Sequence, residues 1–253
     1  VCITATALPI ESMAAEIGQA NNDEYSFDDY SFALYASDGD VLLNEMEANV
    51  IGDIYSSDQI EYTGDNNKFS VQGNKLSDVD CEGPNYTDLI NASAEYDYNY
   101  DSDKVISGSD IDLNKSSFYA DGDVELNHAS ISGTGTIAAH DDITIESLKS
   151  DKDNQKIVIM SESGDVTING AELSMNSAIY APNGTVTINA KQIDFYGEIY
   201  AKQIEINGTS LNLEHKDVFP DKLVCDAGND KTIYKNDSVV LDCSCNYEDA
   251  EIS

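Results

Sequence analysis

Residues 179–213 determine the fold of this chain: they read IYAPNGTVTINAKQIDFYGE followed by IYAKQIEINGTSLNL. Apolar residues recur two apart in three short runs, and the same three runs then begin again. Residues two apart point to the same side of a β-strand. The frame recurs as IMSESGDVTIN at residues 159–169 and as LYASDGDVLLN at residues 34–44. Because a repeat of about 20 residues is typical of a solenoid, we predict an all-β solenoid with three strands in each coil.

The repeating frame predicts a solenoid over residues 34–214. Its coils begin at Leu34, Ile54, Phe118, Ile137, Ile159, Ile179 and Ile199. The frame is lost over residues 74–109, which we predict to leave the solenoid as a lateral excursion and to return at Ile111. Residues 149–156, KSDKDNQK, are predicted to bulge outward as a surface loop.

The remaining segments divide the chain further. Residues 1–15 are apolar apart from Glu11 and end in small residues, which is typical of the tail of a secretory signal. Residues 16–33 are predicted to form an N-terminal cap, and residues 215–225 a linker. A secreted protein meets oxidising conditions, so disulfides are expected, with the pairing left open. The cysteines concerned are Cys81, Cys225, Cys243 and Cys245.

Charge excludes several kinds of partner. The 253 residues include 48 acidic and 13 basic residues, for a formal net charge of −35. Such a charge repels phosphate backbones and anionic lipids, which argues against binding to nucleic acid or to a membrane surface. No apolar run approaches the roughly 18 residues of a spanning helix, so we predict no membrane insertion. No cofactor is required by the sequence, but Ca²⁺ is a possible partner for so acidic a chain.

The residue that ends the second strand of each coil is usually Asn. Equivalent positions of successive coils lie about 4.8 Å apart, so these residues should form a column. An amide in this position can bond to the coils on either side, which predicts a structural role at a corner. The column contains Asn44, Thr63, Asn127, Glu146, Asn169, Asn189 and Asn207.

A second column lies in the middle of each first strand, where a residue points outward between two inward ones. Tyr dominates this column and offers a flat apolar ring with a polar hydroxyl. An exposed row of such rings could bind a sugar or another protein, and the alternative is simple stacking along a β-wall. The candidate binding residues are Tyr35, Tyr55, Tyr119, Tyr180 and Tyr200, with Ala138 and Met160 interrupting the row.

Asp123, Asp142 and Asp165 form a third column, just before the second strand of three consecutive coils. Two charges at this spacing repel by roughly 1 kcal/mol in water, which solvation, a cation or a raised pKa would relieve. A solvated corner is the simplest interpretation. One alternative is a Ca²⁺ site here or in the acidic loop at residues 95–103. The other is a catalytic set in which His140 joins these carboxylates as acid and base.

Residues 34–213 resemble the right-handed parallel β-helix family, most specifically through NSAIYAPNGTVTINA at residues 176–190. They are similar to coils of repeat-rich secreted proteins of anaerobic Gram-positive bacteria, and GEIYAKQIEINGT at residues 197–209 is similar to a bactofilin coil. Residues 226–253, DAGNDKTIYKNDSVVLDCSCNYEDAEIS, resemble the start of a polycystic-kidney-disease-type (PKD) immunoglobulin-like domain. These resemblances imply a partial β-sandwich after the solenoid, further domains of a longer polypeptide, and a stalk, adhesin or scaffold role. They supply no catalytic residues.

The sequence as a whole predicts a non-catalytic, secreted, cell-surface scaffold or adhesin-type module that could bind a glycan or a surface protein. The inward residues are committed to a dry core, and no compact set of acid, base and nucleophile is visible. Two alternatives remain. One is a polysaccharide lyase or glycoside hydrolase, and the other is a subunit of a self-assembling structural polymer.

Overall fold

A computed structural model describes residues 30–44, 47–77, 79, 81, 83, 96–115, 117–146, 149–218, 225–226 and 244–245. These residues form a parallel β-solenoid of about 8 turns, with stacked strands roughly 20 residues apart, which confirms the predicted fold class. The predicted signal segment, the cap up to residue 29 and most of the predicted PKD-type module lie outside the described residues. No helix in the described part of the chain is long and apolar enough to cross a membrane.

Each coil contributes one strand to each of three faces. The first face contains β1 (Phe32–Ala36), β4 (Asp53–Ser56), β7 (Lys75–Ser77), β8 (Tyr98–Tyr100) and β11 (Phe118–Ala120). The second contains β2 (Val41–Asn44), β5 (Ile60–Tyr62), β9 (Lys104–Ser107), β12 (Val124–Asn127), β14 (Ile143–Glu146) and β16 (Val166–Asn169). The third contains β3 (Glu47–Ile51), β6 (Phe69–Gln72), β10 (Asp110–Asp112) and β19 (Ser210–Glu214).

Four long strands turn corners and serve more than one face. They are β13 (Ser130–Ala139), β15 (Lys149–Ser161), β17 (Glu172–Asn189) and β18 (Gln192–Asn207). Short 3₁₀ helices occur at Asn66–Lys68 and Leu113–Lys115. Apart from this sheet, β20 (Cys225–Asp226) pairs in antiparallel fashion with β21 (Ser244–Cys245).

The core lies inside the solenoid and is built from the alternating apolar residues. Val166 pairs with Val186, and Val186 pairs with Ile204, as the repeat predicted. All three side chains are fully buried. Burial of each such aliphatic side chain contributes about 1.5–3 kcal/mol, so the stacked columns provide the main stabilisation of the fold.

The coils do not stack in sequence order. Strand β1 lies between β4 and β18, β2 lies between β5 and β18, and β3 lies between β6 and β19. Leu34 therefore pairs with Ile54 on one side and with Ile199 on the other. The stack begins with residues 98–115, continues to residue 214, and is then extended by residues 32–77.

This order has a consequence for the predicted excursion. Strand β7 pairs with β4 at one end of the stack, and β8 pairs with β11 at the other end. Residues 78–97 must therefore connect opposite ends of the first face, eight coil steps or about 38 Å apart. The predicted limits of the excursion, residues 74–109, are too wide, because β7, β8 and β9 pair with strands of regular coils.

Two predicted loops contain strand residues. The run KSDKDNQK lies within β15, which begins at Lys149 and pairs with β13. Ser150 pairs with Ile131 and Gln155 pairs with Gly133, so the extra residues between Ser150 and Gln155 form the predicted bulge within this strand. The acidic run at residues 95–103 likewise forms β8 and a turn within the first coil of the stack, with Glu95 outside the described residues.

Candidate functional site

Most of the predicted Asn column, from Glu146 onward, forms a hydrogen-bonded ladder along one corner, whereas Asn127 Nδ2 donates to Glu125 on its own strand. Asn189 Nδ2 donates to Asn169 Oδ1 at 2.7 Å, and Asn207 Nδ2 donates to Asn189 Oδ1 at 2.8 Å. The ladder then crosses to the N-terminal coils through Asn44 Nδ2, which donates to Asn207 Oδ1 at 2.9 Å. Thr63 continues it with a 3.4 Å bond from its hydroxyl to Asn44 Oδ1. The structural role that the sequence predicted for this column is confirmed.

The Asp column forms a second ladder at an exposed corner. Each carboxylate accepts a hydrogen bond from the backbone N–H at the equivalent position of the next coil. Asp142 N donates to Asp123 Oδ1 at 3.0 Å, and Asp165 N donates to Asp142 Oδ1 at 2.8 Å. Thr185 N donates to Asp165 Oδ1 at 2.7 Å. These bonds to charged acceptors favour the interpretation of the column as a solvated structural corner.

These three aspartates do not form a cluster of ligand atoms within 4.8 Å of one another in the described structure. Calcium binding at this column, or near residues 95–103, stays a prediction.

His140 lies near the same corner, but its closest carboxylate is not in the Asp column. Its Nδ1 is 3.0 Å from Glu162 Oε2, and its Nε2 is 3.9 Å from Asp141 Oδ1. The hydrogen bond with Glu162 raises the pKa of His140 above its ordinary value. The ring is 45% exposed, so it lies on an open corner rather than in a closed site. The alternative assignment of His140 as a catalytic acid or base stays a prediction.

Because the coils do not stack in sequence order, the outward residues of the first face follow a different order in space than in the sequence. It runs Asn99, Tyr119, Ala138, Met160, Tyr180, Tyr200, Tyr35, Tyr55 and Leu76. Four tyrosines are thereby brought together although the sequence separates them into two pairs. The Tyr35 ring stacks on Tyr55 with centroids 4.5 Å apart, and it lies 5.9 Å from the Tyr200 ring.

The prediction that this Tyr row is exposed is wrong. Tyr119 is partly buried, and the exposed fractions of the others are 3% for Tyr35, 3% for Tyr55, 4% for Tyr180 and 3% for Tyr200. The rings belong to a second apolar cluster that also includes Phe32 and Val218. In the described structure these four rings therefore do not form an open platform for a sugar.

Residues of the excursion contact these rings and explain their burial at one end of the column. The Tyr35 hydroxyl donates to the Cys81 carbonyl oxygen at 2.6 Å, and the Tyr55 hydroxyl donates to the Val79 carbonyl oxygen at 2.9 Å. A Cβ atom at Gly83 would lie 2.7 Å from the Tyr35 ring, so the backbone there approaches the ring closely. Val79, Cys81 and Gly83 thus pack on the Tyr face.

A buried carboxylate interrupts a neighbouring outward column. Thr136, Val158, Ala178 and Glu198 are consecutive partners on the first face. Glu198 is only 3% exposed. Its Oε2 accepts from the Tyr200 hydroxyl at 2.8 Å, and its Oε1 accepts from Val218 N at 3.1 Å. Glu198 thus breaks the pattern of small and apolar residues in its column, and residues that break a repeat pattern are often found at functional sites.

His215 lies between Glu198 and a second carboxylate. Its Nε2 is 3.8 Å from Glu198 Oε2 and 3.6 Å from Asp217 Oδ1. The nearby Glu198 carboxylate raises the pKa of His215, and Asp217 and Asp53 contribute less. In the described part of the chain, only this set of His, Cys, Asp and Glu residues places three ligand atoms within 4.8 Å of one another. This set was not predicted from the sequence, although Glu198 stands out as the charged member of a column of uncharged residues.

The third face carries a shallow, open concavity. Polar side chains line it, including Ser174, Asp194 and Asn212. Beside it, Lys152 Nζ lies 4.0 Å from the centroid of the Tyr196 ring, and the Lys152 ammonium pairs with Asp194 at 2.5 Å. This face is less covered than the Tyr face.

Three of the cysteines lie among the described residues. Cys81 is buried in the cluster that covers the Tyr face. Cys225 and Cys245 are opposite each other in the antiparallel pair β20–β21. Opposite residues of antiparallel strands have Cα atoms about 4.5–5.5 Å apart, which lies within the range of disulfides.

The fold and its corner ladders place this chain in the class of parallel β-solenoid proteins. No protein-family model matches the chain, and a search of curated proteins finds no significant relative. The resemblances to bactofilin coils and to the start of a PKD-type domain therefore stay predictions.

Proposed function

We propose that this chain is a non-catalytic scaffold, a rigid β-solenoid rod in a secreted cell-surface protein. The observation that carries this proposal is the structural use of the polar columns. The side chains of the Asn and Asp columns form hydrogen bonds between coils, as in the Asn207–Asn189 and Asp165–Asp142 contacts. A solenoid braced at two corners in this way suits a stiff spacer or display element. The apolar segment at residues 1–15 supports export.

The position of the acidic residues supports the scaffold over a polysaccharide lyase or glycoside hydrolase. A glycosidase needs two carboxylates on either side of the scissile bond, within a cleft that binds the sugar. Asp123, Asp142 and Asp165 instead follow one exposed corner. Each already accepts a backbone hydrogen bond, which fixes its orientation along the corner.

The third face is the recognition surface in this proposal, for a glycan or a surface protein. The Tyr face is covered, whereas the third face has a shallow concavity with hydrogen-bonding groups at Ser174, Asp194 and Asn212. Tyr196 adds an aromatic ring at its edge, held in place by Lys152. Polar groups around an aromatic ring can bind a sugar through stacking and hydrogen bonds.

A turnover assay tests the non-catalytic proposal. The purified chain is incubated with neutral and acidic polysaccharides, and reducing ends and unsaturated products are measured. We expect no product. Product formation that is lost in Asp142→Asn or His140→Ala would overturn the scaffold proposal in favour of an enzyme.

A glycan and protein array tests the recognition surface separately. We expect Tyr196→Ala to reduce any binding found in the wild type. Tyr98→Ala is the matched control, because Tyr98 is 51% exposed and lies in the first coil of the stack. Binding that survives Tyr196→Ala but is lost in Tyr98→Ala would contradict the assignment to the third face.

A structural polymer is the second candidate, and the two end coils favour it. Their inward residues are only partly buried: Tyr100 and Ile106 at one end, and Ile60 and Phe69 at the other. Stacking of a second copy on either end would bury them. Sedimentation over a range of concentrations tests this, since a polymer grows with concentration and an isolated rod keeps a constant mass.

A further inference from the structure

We propose that Glu198, His215 and Asp217 form a binding site for a divalent first-row transition cation, with Zn²⁺ as the representative ion. The three side chains offer one imidazole nitrogen and two carboxylate oxygens, all within 4.8 Å of one another. Imidazole nitrogen and carboxylate oxygen are both zinc ligands, and zinc sites with an open position use three protein ligands.

The distances around His215 fit a shared ion better than direct hydrogen bonds. Its Nε2 is 3.8 Å from Glu198 Oε2 and 3.6 Å from Asp217 Oδ1, both too long for a hydrogen bond. With Zn–N and Zn–O bonds of about 2.0–2.2 Å, ligand atoms around a tetrahedral ion lie roughly 3.3 Å apart. His215 Nε2 lies only a few tenths of an ångström farther than that from each of the two carboxylate oxygens.

Glu198 is the fixed ligand of the set. It is 3% exposed, and the Tyr200 hydroxyl and Val218 N–H donate to its two oxygens. Hydrogen bonds of this kind orient metal ligands and strengthen binding. The other consecutive partners in its column, from Thr136 to Ala178, carry no charge, so Glu198 is not explained by the repeat.

His215 is held in place by its backbone. Its N–H donates to the Ile51 carbonyl oxygen at 2.7 Å. A Cβ atom added at Gly52 would lie 2.8 Å from His215 Cβ, and Gly52 has a φ of +132°, which favours glycine. The close approach of Gly52 lets the N-terminal coil pack directly against His215. An ion at His215 would therefore stabilise the contact between the chain that follows the last coil and the N-terminal coil at Ile51 and Gly52.

The ligand set also predicts selectivity. Imidazole nitrogen suits Zn²⁺, Cu²⁺ and Ni²⁺, whereas Ca²⁺ takes six to eight oxygen ligands. Three protein ligands leave a fourth position for water or a small anion. Because the ion would bind the folded state, it should raise the melting temperature, and the rise should increase with the concentration of free ion.

Calorimetric titration of the full chain with Zn²⁺ tests the site. Accessible thiols are first alkylated under native conditions, so that sulfur ligands do not compete. We expect one equivalent to bind, together with a rise in melting temperature that EDTA reverses and that Ca²⁺ does not produce. His215→Ala and Glu198→Gln should each weaken binding at least tenfold. Tyr200→Phe, which removes a hydrogen bond to a ligand, should weaken it about 10-fold to 100-fold.

His140→Ala is the matched control. His140 also lies beside two carboxylates, Glu162 and Asp141, but on an open corner. Binding that persists in His215→Ala and disappears in His140→Ala would overturn the proposal, as would the absence of binding to the wild type.

NMR spectra of the wild type test the same site without any substitution, so they apply even if a variant fails to fold. Addition of Zn²⁺ should shift the ring resonances of His215 and leave those of His140 unchanged. Equal shifts in both rings, or none in His215, would overturn the proposal.

Discussion

Asn44 Nδ2 donates a 2.9 Å hydrogen bond to Asn207 Oδ1, although the two residues are 163 positions apart in the sequence. On the same face, Val41 pairs with Ile204 and Leu43 pairs with Ile206. The coil nearest the start of the described chain and the last coil thus share one core. Because such pairing is non-local, we expect the junction to form slowly during folding.

The Asn ladder should contribute measurable stability at this junction. Asn207→Ala removes the acceptor of Asn44 and the donor to Asn189, so we expect a loss of about 1–2 kcal/mol in the free energy of unfolding. Urea denaturation measures this loss. Asn49→Ala, on the third face, is the control and should change stability by less than about 0.5 kcal/mol. Equal effects of the two substitutions would contradict a special role for the ladder.

The contact between Tyr35 and the excursion should protect Cys81. Tyr35→Phe removes the 2.6 Å hydrogen bond to the Cys81 carbonyl oxygen, and the loss of one such bond costs about 0.5–1.5 kcal/mol. We expect faster alkylation of the Cys81 thiol, measured by peptide mass spectrometry. Tyr98→Phe, in an exposed position, is the control. An unchanged rate in Tyr35→Phe would show that this bond does not hold the segment on the Tyr face.

The stability that the Asp ladder provides should depend on an oxygen acceptor at each position rather than on negative charge. Asp142→Ala removes the acceptor of Asp165 N, and we expect a loss of about 1 kcal/mol in stability. Asp142→Asn keeps an acceptor oxygen and relieves repulsion along the column, so its stability should stay close to that of the wild type. Thermal melting compares the two variants. A larger loss of stability in Asp142→Asn than in Asp142→Ala would contradict this explanation.

His140 should titrate above its ordinary pKa of 6.5, because it is hydrogen-bonded to Glu162. A raised pKa in the folded state means that protonated His140 stabilises the fold fully below pH 6.5, and that this contribution is lost as the pH rises through the folded-state pKa. The ring is exposed, so its effect on stability should be small.

The measurement for His140 is therefore its NMR titration. Glu162→Gln should lower the pKa of His140, whereas Glu205→Gln, on the second face, should not change it. A pKa that is insensitive to Glu162→Gln would exclude the hydrogen bond as the cause.

Cys225 and Cys245 should form a disulfide when the protein is made under oxidising conditions, since they are directly opposite in β20–β21. Peptide mapping without reduction should recover them as a linked pair. Cys243→Ser should leave the link intact, and Cys245→Ser should remove it. A link between Cys225 and Cys243 in the wild type would contradict this register.

The sequence by itself determined the local structure of the solenoid. The two-residue alternation places Val186 and Ile188 on the inner side of one strand, because successive side chains of a strand point in opposite directions. The repeat then predicted the corner at Asn189, where the amide bonds to neighbouring coils. These features depend only on residues close in the chain, which is why the sequence was sufficient.

Only the tertiary structure decided which coils are neighbours. Every coil repeats nearly the same frame, so Leu34 is as suitable a partner for Ile199 as for Ile54, and alternation cannot distinguish them. The non-sequential stack then required a connecting segment, and residues of that segment cover Tyr35 and Tyr55, which local periodicity had predicted to be exposed. The approach of His215 to Glu198 was likewise invisible in the sequence. It depends on the chain after the last coil folding back against the first face, and such contacts are set by long-range packing rather than by the period of the repeat.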